Sequence, residues 1–255
     1  MSQHRIALGK VPELTLLFWV IKVAATTLGE TAGDAVTMSM KLGYLGGSII
    51  FMAIFLIAVG FQIKASRFQA PLFWVVIVAT TSAGTTLADF FDRSLGIGYA
   101  GGASMLAILL MISLLWWHRA LGSVSIKRID SRSAEVFYWM TILVSQTLGT
   151  ALGDWFADPE KGLRMGYQGS ALVFAAGLAV IAGLFFWIRI SRTGLFWAAF
   201  ILTRPLGAAV GDFLDKPVGD GGLALSRYAA SACLACFIIA CVALVRQRAE
   251  RLEVR

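Results

Sequence analysis

Apolar residues fill this chain in eight long blocks, roughly 14–36, 44–63, 71–91, 99–117, 135–156, 167–188, 193–214 and 223–245. Each is close to the ~20 residues a helix needs to cross a bilayer. Barrel strands would need short alternating segments, so the pattern predicts helices. The fold class it predicts is all-α: a polytopic bundle in a single domain over 1–255. Polar positions are of two kinds. Some form short connections, the longest being the basic stretch HRALGSVSIKRIDSR near 118–134. Others lie inside blocks one, three, five and seven, near their C-terminal ends, where a span normally avoids charge.

Those embedded positions repeat. An aromatic-Trp pair opens each odd block: Phe18-Trp19, Phe73-Trp74, Tyr138-Trp139 and Phe196-Trp197. Ten residues after each Trp stands a glycine (Gly29, Gly84, Gly149, Gly207), and fifteen after it an aspartate (Asp34, Asp89, Asp154, Asp212). A small residue precedes each aspartate. Three of the following connections then carry a Gly-Tyr pair, in GYLGG, GYAGG and GYQGS. Four tandem units result, approximately 13–64, 68–118, 133–189 and 191–245. On these motifs the chain resembles bacterial membrane proteins built from four tandem copies of a two-helix repeat of unknown function, each with a characteristic tryptophan. The resemblance spans about 13–245. It implies eight membrane helices and carries no activity with it.

An even number of helices per unit gives all four units one orientation, related by axes along the membrane normal. The four aspartates then share one depth, about 22 Å from the tryptophans. If the odd helices surround one axis, the acids form a ring or two facing pairs.

Composition supports the membrane reading. The chain is 58% hydrophobic and 15% charged, with a mean hydropathy of +0.77; soluble domains are typically about 45–50% apolar and about 25% charged. The first block carries Lys22, Glu30 and Asp34 and lacks a clean cleavage site, so it is expected to be retained. The net charge of +7 is patterned, not clustered as for nucleic acid. Fourteen Lys and Arg, among them Arg5, Arg119, Arg128, Arg189, Arg246 and Arg255, fall on the side of the termini. Six fall on the other: Lys41, Arg93, Lys161, Arg164, Lys216 and Arg227. The positive-inside rule then places both termini in the cytoplasm, the resemblance implies a bacterial inner membrane, and the tail RQRAERLEVR reads as an orientation signal. Cys233, Cys236 and Cys241 all sit in the last block and read as packing residues.

The odd blocks hold five acids, Glu30, Asp34, Asp89, Asp154 and Asp212, against Lys22 and Arg204. A bound cation or protons would balance the excess. Oxygen donors stand beside the acids: Thr26, Thr27, Thr81, Thr85, Gln146 and Thr150. His and Cys are missing from the motif, which favours Mg²⁺, Mn²⁺, Ca²⁺, Na⁺ or H⁺ over copper or zinc. Two positions break the symmetry. Eleven residues after each Trp stand Glu30, Thr85, Thr150 and Ala208; seven after it stand Thr26, Thr81, Gln146 and Arg204. Glu30 is thus the candidate for ion or proton coupling and Arg204 for a tethered counter-charge.

The expectation is a carrier of a hard inorganic cation, with no resident cofactor and partners limited to lipid, the cation and protons; a homo-oligomer stays open. The alternatives are a small organic-solute or anion carrier using Lys22 and Arg204, and a structural membrane protein. The aspartates also allow an architectural reading, in which they orient helix ends and pair with Arg93, Arg164 or Lys216. No Walker A sequence, nucleophile or general-base motif points to an ATPase or an enzyme.

Overall fold

The structure, a computed structural model, describes residues 8–188 and 191–252; Arg5, Arg189 and Arg255 of the charge count lie outside the described residues. It is all-helical but for one small strand pair. The helices are α1 (Leu16–Asp34), α2 (Gly43–Lys64), α3 (Ala70–Asp89), α4 (Tyr99–Leu121), α5 (Arg132–Ala157), α6 (Gly166–Trp187), α7 (Arg192–Asp215) and α8 (Arg227–Leu244). Among the described residues, six of them are long and apolar enough to cross a membrane. α1 and α5 are the other two. α1 carries Lys22, Glu30 and Asp34, and α5 carries Arg132, Glu135 and Asp154.

Local sequence explains the ends. The hydroxyls of Thr15, Ser131 and Ser191 accept from the backbone N–H groups of Phe18, Ala134 and Gly194, capping α1, α5 and α7. Pro71 sits in the first turn of α3, where its missing N–H costs nothing. α1 and α3 run on into π-helical turns, Ala35–Ser39 and Phe90–Ser94. The recurrent Gly-Tyr pair has a backbone reason: Gly43, Gly98 and Gly166 have φ of +70°, +75° and +66°, a left-handed conformation that glycine enters without a steric penalty.

The odd helices form a closed inner ring in which α1 and α5 each pack on both α3 and α7. Each even helix packs on the odd helix of the following repeat: α2 on α3, α4 on α5, α6 on α7, and α8 back on α1. Repeat four therefore closes onto repeat one. The even helices present apolar side chains outward, such as Ile57, Phe61, Ile108, Leu172, Val180 and Ile239, as helices facing lipid do. A short strand, β1 (Leu8–Pro12), pairs antiparallel with β2 (Ala249–Arg251) and joins the two ends of the chain. The tail read from sequence as an orientation signal thus also makes a structural contact. Gln247 Oε1 accepts from Trp74 Nε1 at 2.8 Å beside it.

The repeated aromatic pairs have one shared role. Phe18, Trp19, Phe196, Trp197, Tyr138, Trp139, Phe73 and Trp74 form an unbroken circuit, each ring against the next with centroids 5.0–6.4 Å apart. This circuit girdles one end of the inner ring, mostly in tilted or edge contacts of the kind aromatic quadrupoles favour. The tryptophans are packing residues of this circuit.

Candidate functional site

The inner ring holds together by fitting bulk from one repeat into glycine of the one before. A β-carbon at Gly29 would strike Thr81; at Gly84, Gln146; at Gly149, Arg204; at Gly207, Thr26. One turn higher, a β-carbon at Gly33 would lie 3.0 Å from Thr85, at Gly153 3.0 Å from Ala208, and at Gly211 2.7 Å from Glu30. The two positions at which the repeats diverge are therefore the positions that enter the seams. Close approach also lets hydroxyls bond across them. Thr81 Oγ1 donates to the Ala25 carbonyl at 3.1 Å, Thr85 Oγ1 to that of Gly29 at 3.2 Å, and Thr26 Oγ1 to that of Thr203 at 3.2 Å.

Buried residues four apart on each odd helix define layers along the ring axis, about 6 Å per step. Above the aromatic circuit come Lys22, Ile77, Ile142 and Phe200; then Thr26, Thr81, Gln146 and Arg204; then Glu30, Thr85, Thr150 and Ala208; then Asp34, Asp89, Asp154 and Asp212. All sixteen are buried.

Arg204 is the hub. Its Nη2 donates to Glu30 Oε2 at 3.0 Å and to the hydroxyl oxygens of Thr85 and Thr150, and its Nη1 to the Thr26 carbonyl at 3.4 Å. One guanidinium thus gathers side chains from repeats one, two and three, satisfying a charge that is fully buried. Lys22 sits one layer lower with its Nζ 4.2 Å from the Phe200 ring centroid. Gln146 is fully buried and its amide has no hydrogen-bond partner.

The aspartate layer is strapped. Arg93 lies 3.0 Å from Asp89 and 3.2 Å from Asp154, linking repeats two and three. Lys216 pairs with Asp34 and lies 3.0 Å from Asp212, linking repeats four and one. Arg227, at the start of α8, lies 2.8 Å from Asp215 and 3.8 Å from Asp34. Burial works against the Lys216 ammonium, but Asp212, Asp34 and Asp215 outweigh it and raise its pKa well above the ordinary lysine value. Arg93 and Lys216 are two of the three bases the architectural reading names. The motif alignment does not point to Arg227 for this role, although its sequence signal exists: it stands where the other repeats have the glycine of the Gly-Tyr pair. Asp92 and Asp215, which look like loop residues in sequence, are buried.

Two groups of carboxylates converge despite the straps. One oxygen from each of Glu30, Asp154 and Asp212 lies within 4.8 Å of the others, and the same holds for Asp34, Asp212 and Asp215. Asp89 is in neither group. Thr27, expected as a donor, bonds instead to the Val23 carbonyl of its own helix at 3.1 Å. It lies one residue past the axial position, about 100° round the helix. Of the expected residues, then, Glu30, Thr85, Thr150 and Arg204 form one connected cluster, Asp154 and Asp212 approach it from above, and Lys22 and Gln146 lie below. Asp34 and Asp89 belong to the strapped layer, and Thr26 and Thr81 to the seams.

A family model, the Repeat of Unknown Function (DUF347), matches residues 17–68, 72–122, 137–191 and 195–250. No curated protein and no solved structure matches the chain. The four matches cover most of the sequence and coincide with the four units of the ring, so the chain belongs to this repeat family.

Proposed function

We propose that this protein is an eight-span carrier of a hard inorganic cation, such as Mn²⁺ or Mg²⁺, that binds between Glu30, Asp154 and Asp212 and exchanges for protons. The observation that carries the reading is the convergence of three buried carboxylates, from repeats one, three and four, within 4.8 Å. Like charges at that distance in a low-dielectric interior repel strongly unless something positive joins them. The cations in ion-pair contact do not suffice: Glu30, the four aspartates and Asp215 face Arg204, Arg93, Lys216 and Arg227, which leaves two negative charges unmatched. The hydroxyls of Thr85 and Thr150, next to Glu30 through Arg204, add hard oxygen donors. Arg204 is the tethered counter-charge that holds Glu30 when no ion is bound and yields it when one is.

In this reading α1 and α5 also span the membrane, shielded by neighbours on both sides. Both termini lie in the cytoplasm of a bacterial inner membrane. The aspartate layer then faces outward and the aromatic circuit closes the ring on the cytoplasmic side. The test is uptake and efflux of Mn²⁺ by reconstituted protein, with Glu30→Gln and Asp154→Asn compared with wild type. Flux should fall at least tenfold in each; well-folded variants with unchanged flux would sink the proposal.

A further inference from the structure

Beneath the carboxylates the chemistry reverses sign. Lys22 is fully buried and its ammonium has no hydrogen-bond acceptor. Neither has Arg204 Nε, and both ends of the buried Gln146 amide are unpartnered. These groups occupy two successive axial layers on α1, α7 and α5. The contacts fix the stacking: Lys22 rests on Phe200, while one turn along each helix Arg204 reaches the Thr26 carbonyl. The Arg204 charge is answered by Glu30; among the described residues no carboxylate lies within ion-pair distance of Lys22. The face of Phe200 is a weak partner for an ammonium that has lost its water, and a buried charge without a counter-charge is among the costliest features a fold can keep.

We infer that Lys22, Arg204 Nε and Gln146, buried and unpartnered on adjacent layers of the ring, form an anion site, taking a compact monovalent anion of the chloride class. Such an ion would accept from the Lys22 ammonium, from Arg204 Nε and from the Gln146 amide N–H groups, supplying the one acceptor these donors lack. The anion must be compact because the seams on either side, Gly84 against Gln146 and Gly207 against Thr26, are in direct contact. The site stands independently of any transported cation. It shares Arg204 with the carboxylate cluster one layer above, so occupancy of either site acts on the other through that guanidinium.

The experiment uses the purified full chain in detergent with no added divalent metal. Its unfolding temperature is measured in sodium chloride and in sodium gluconate at equal ionic strength. Chloride should raise it by about 3 °C. Lys22→Met should abolish the difference and Lys22→Arg should keep it. A crystal grown in bromide should show an anomalous peak in contact with Lys22 Nζ. A wild-type protein indifferent to chloride and without that peak would overturn the site. So would a chloride shift that survives in Lys22→Met, or a Lys22→Met variant more stable than wild type in both salts, which would identify the lysine as neutral. Metal binding enters none of these measurements, so their failure leaves the carrier reading standing, and failed flux leaves the anion site standing.

Discussion

Repeats two and four end their first helices in DFFDRS and DFLDKP; repeats one and three end theirs in DAVTMS and DWFADP. The first pair carries a second aspartate three residues after the shared one and a cation four residues after it. The second pair carries neither in those places. Backbone packing nevertheless treats the four alike, with the same glycine seams and the same aromatic circuit. The ring therefore has four-fold packing but two-fold electrostatics. Straps cross the seams between repeats two and three and between four and one. The remaining two seams rely on glycine contact, hydroxyl bonds and, between three and four, the Arg204–Thr150 bond. Arg93 and Lys216 are each shared between two aspartates, with Arg227 joining Asp34 to Asp215, so the acids are held together without being neutralised one for one.

The largest effect should come from breaking the one element that belongs to neither pattern. Arg204→Met leaves Glu30 buried without its counter-charge, and removing one partner of such a pair costs about 3–5 kcal/mol. Chemical denaturation in micelles should show this loss, and Arg204→Met/Glu30→Gln should recover most of it. If the double variant is as unstable as the single, Arg204 acts by filling space at Gly149 and not by charge.

The seams come next. Gly29→Ala forces a methyl group into Thr81, and overpacking of this kind costs about 1–3 kcal/mol. Gly60→Ala on α2 meets nothing within 4 Å and should be neutral or slightly stabilising, since alanine is the better helix former. Thermal unfolding of the two variants side by side separates a glycine required by the ring from one that is incidental.

Much of this ring is legible in the sequence. The Trp, Gly and Asp spacings identify four units and their common orientation, and the divergent positions seven and eleven residues after each Trp are the seam positions. The cyclic order cannot be read. The even helices are apolar on every side, so no stripe says which neighbour each one covers, and α8 returning to α1 follows from closure alone. The straps are hidden for the same reason. Lys216 reaches Asp34, 182 residues earlier in the chain, only because repeat four adjoins repeat one. Glu30, singled out as the odd acid, lies at the hub; Thr27, chosen as a neighbouring hydroxyl, does not, because a single-residue step takes it off the axis.

Removing a strap should cost less than removing the hub, since both straps are partly open to solvent. Lys216→Gln is expected to destabilise by about 1–2 kcal/mol at neutral pH. Its pH dependence checks the cause. A lysine whose pKa is raised in the folded state contributes stability that is complete below its unfolded value, about 10.4, and lost as pH climbs through the folded value. Wild type should therefore hold this increment to about pH 10.4 and shed it above. Lys216→Gln should lack it throughout, and Lys216→Arg should carry it to the highest pH measured. Equal alkaline profiles for wild type and Lys216→Gln would show that the strap is not electrostatic.

The smallest change in stability should come from making repeat one resemble repeats two and four. Met38 stands four residues after Asp34, where the other pair has Arg93 and Lys216. It is half-buried and belongs to no strap, so Met38→Lys should alter stability by no more than about 0.5 kcal/mol. Its effect on binding should be larger than its effect on folding. A further strap cancels one of the two unmatched negative charges, and Mn²⁺ affinity measured by calorimetry should fall severalfold while the unfolding temperature barely moves. If affinity is unchanged, the alternation of strapped and unstrapped repeats serves assembly alone, and the charge left over in the aspartate layer has no part in holding a cation.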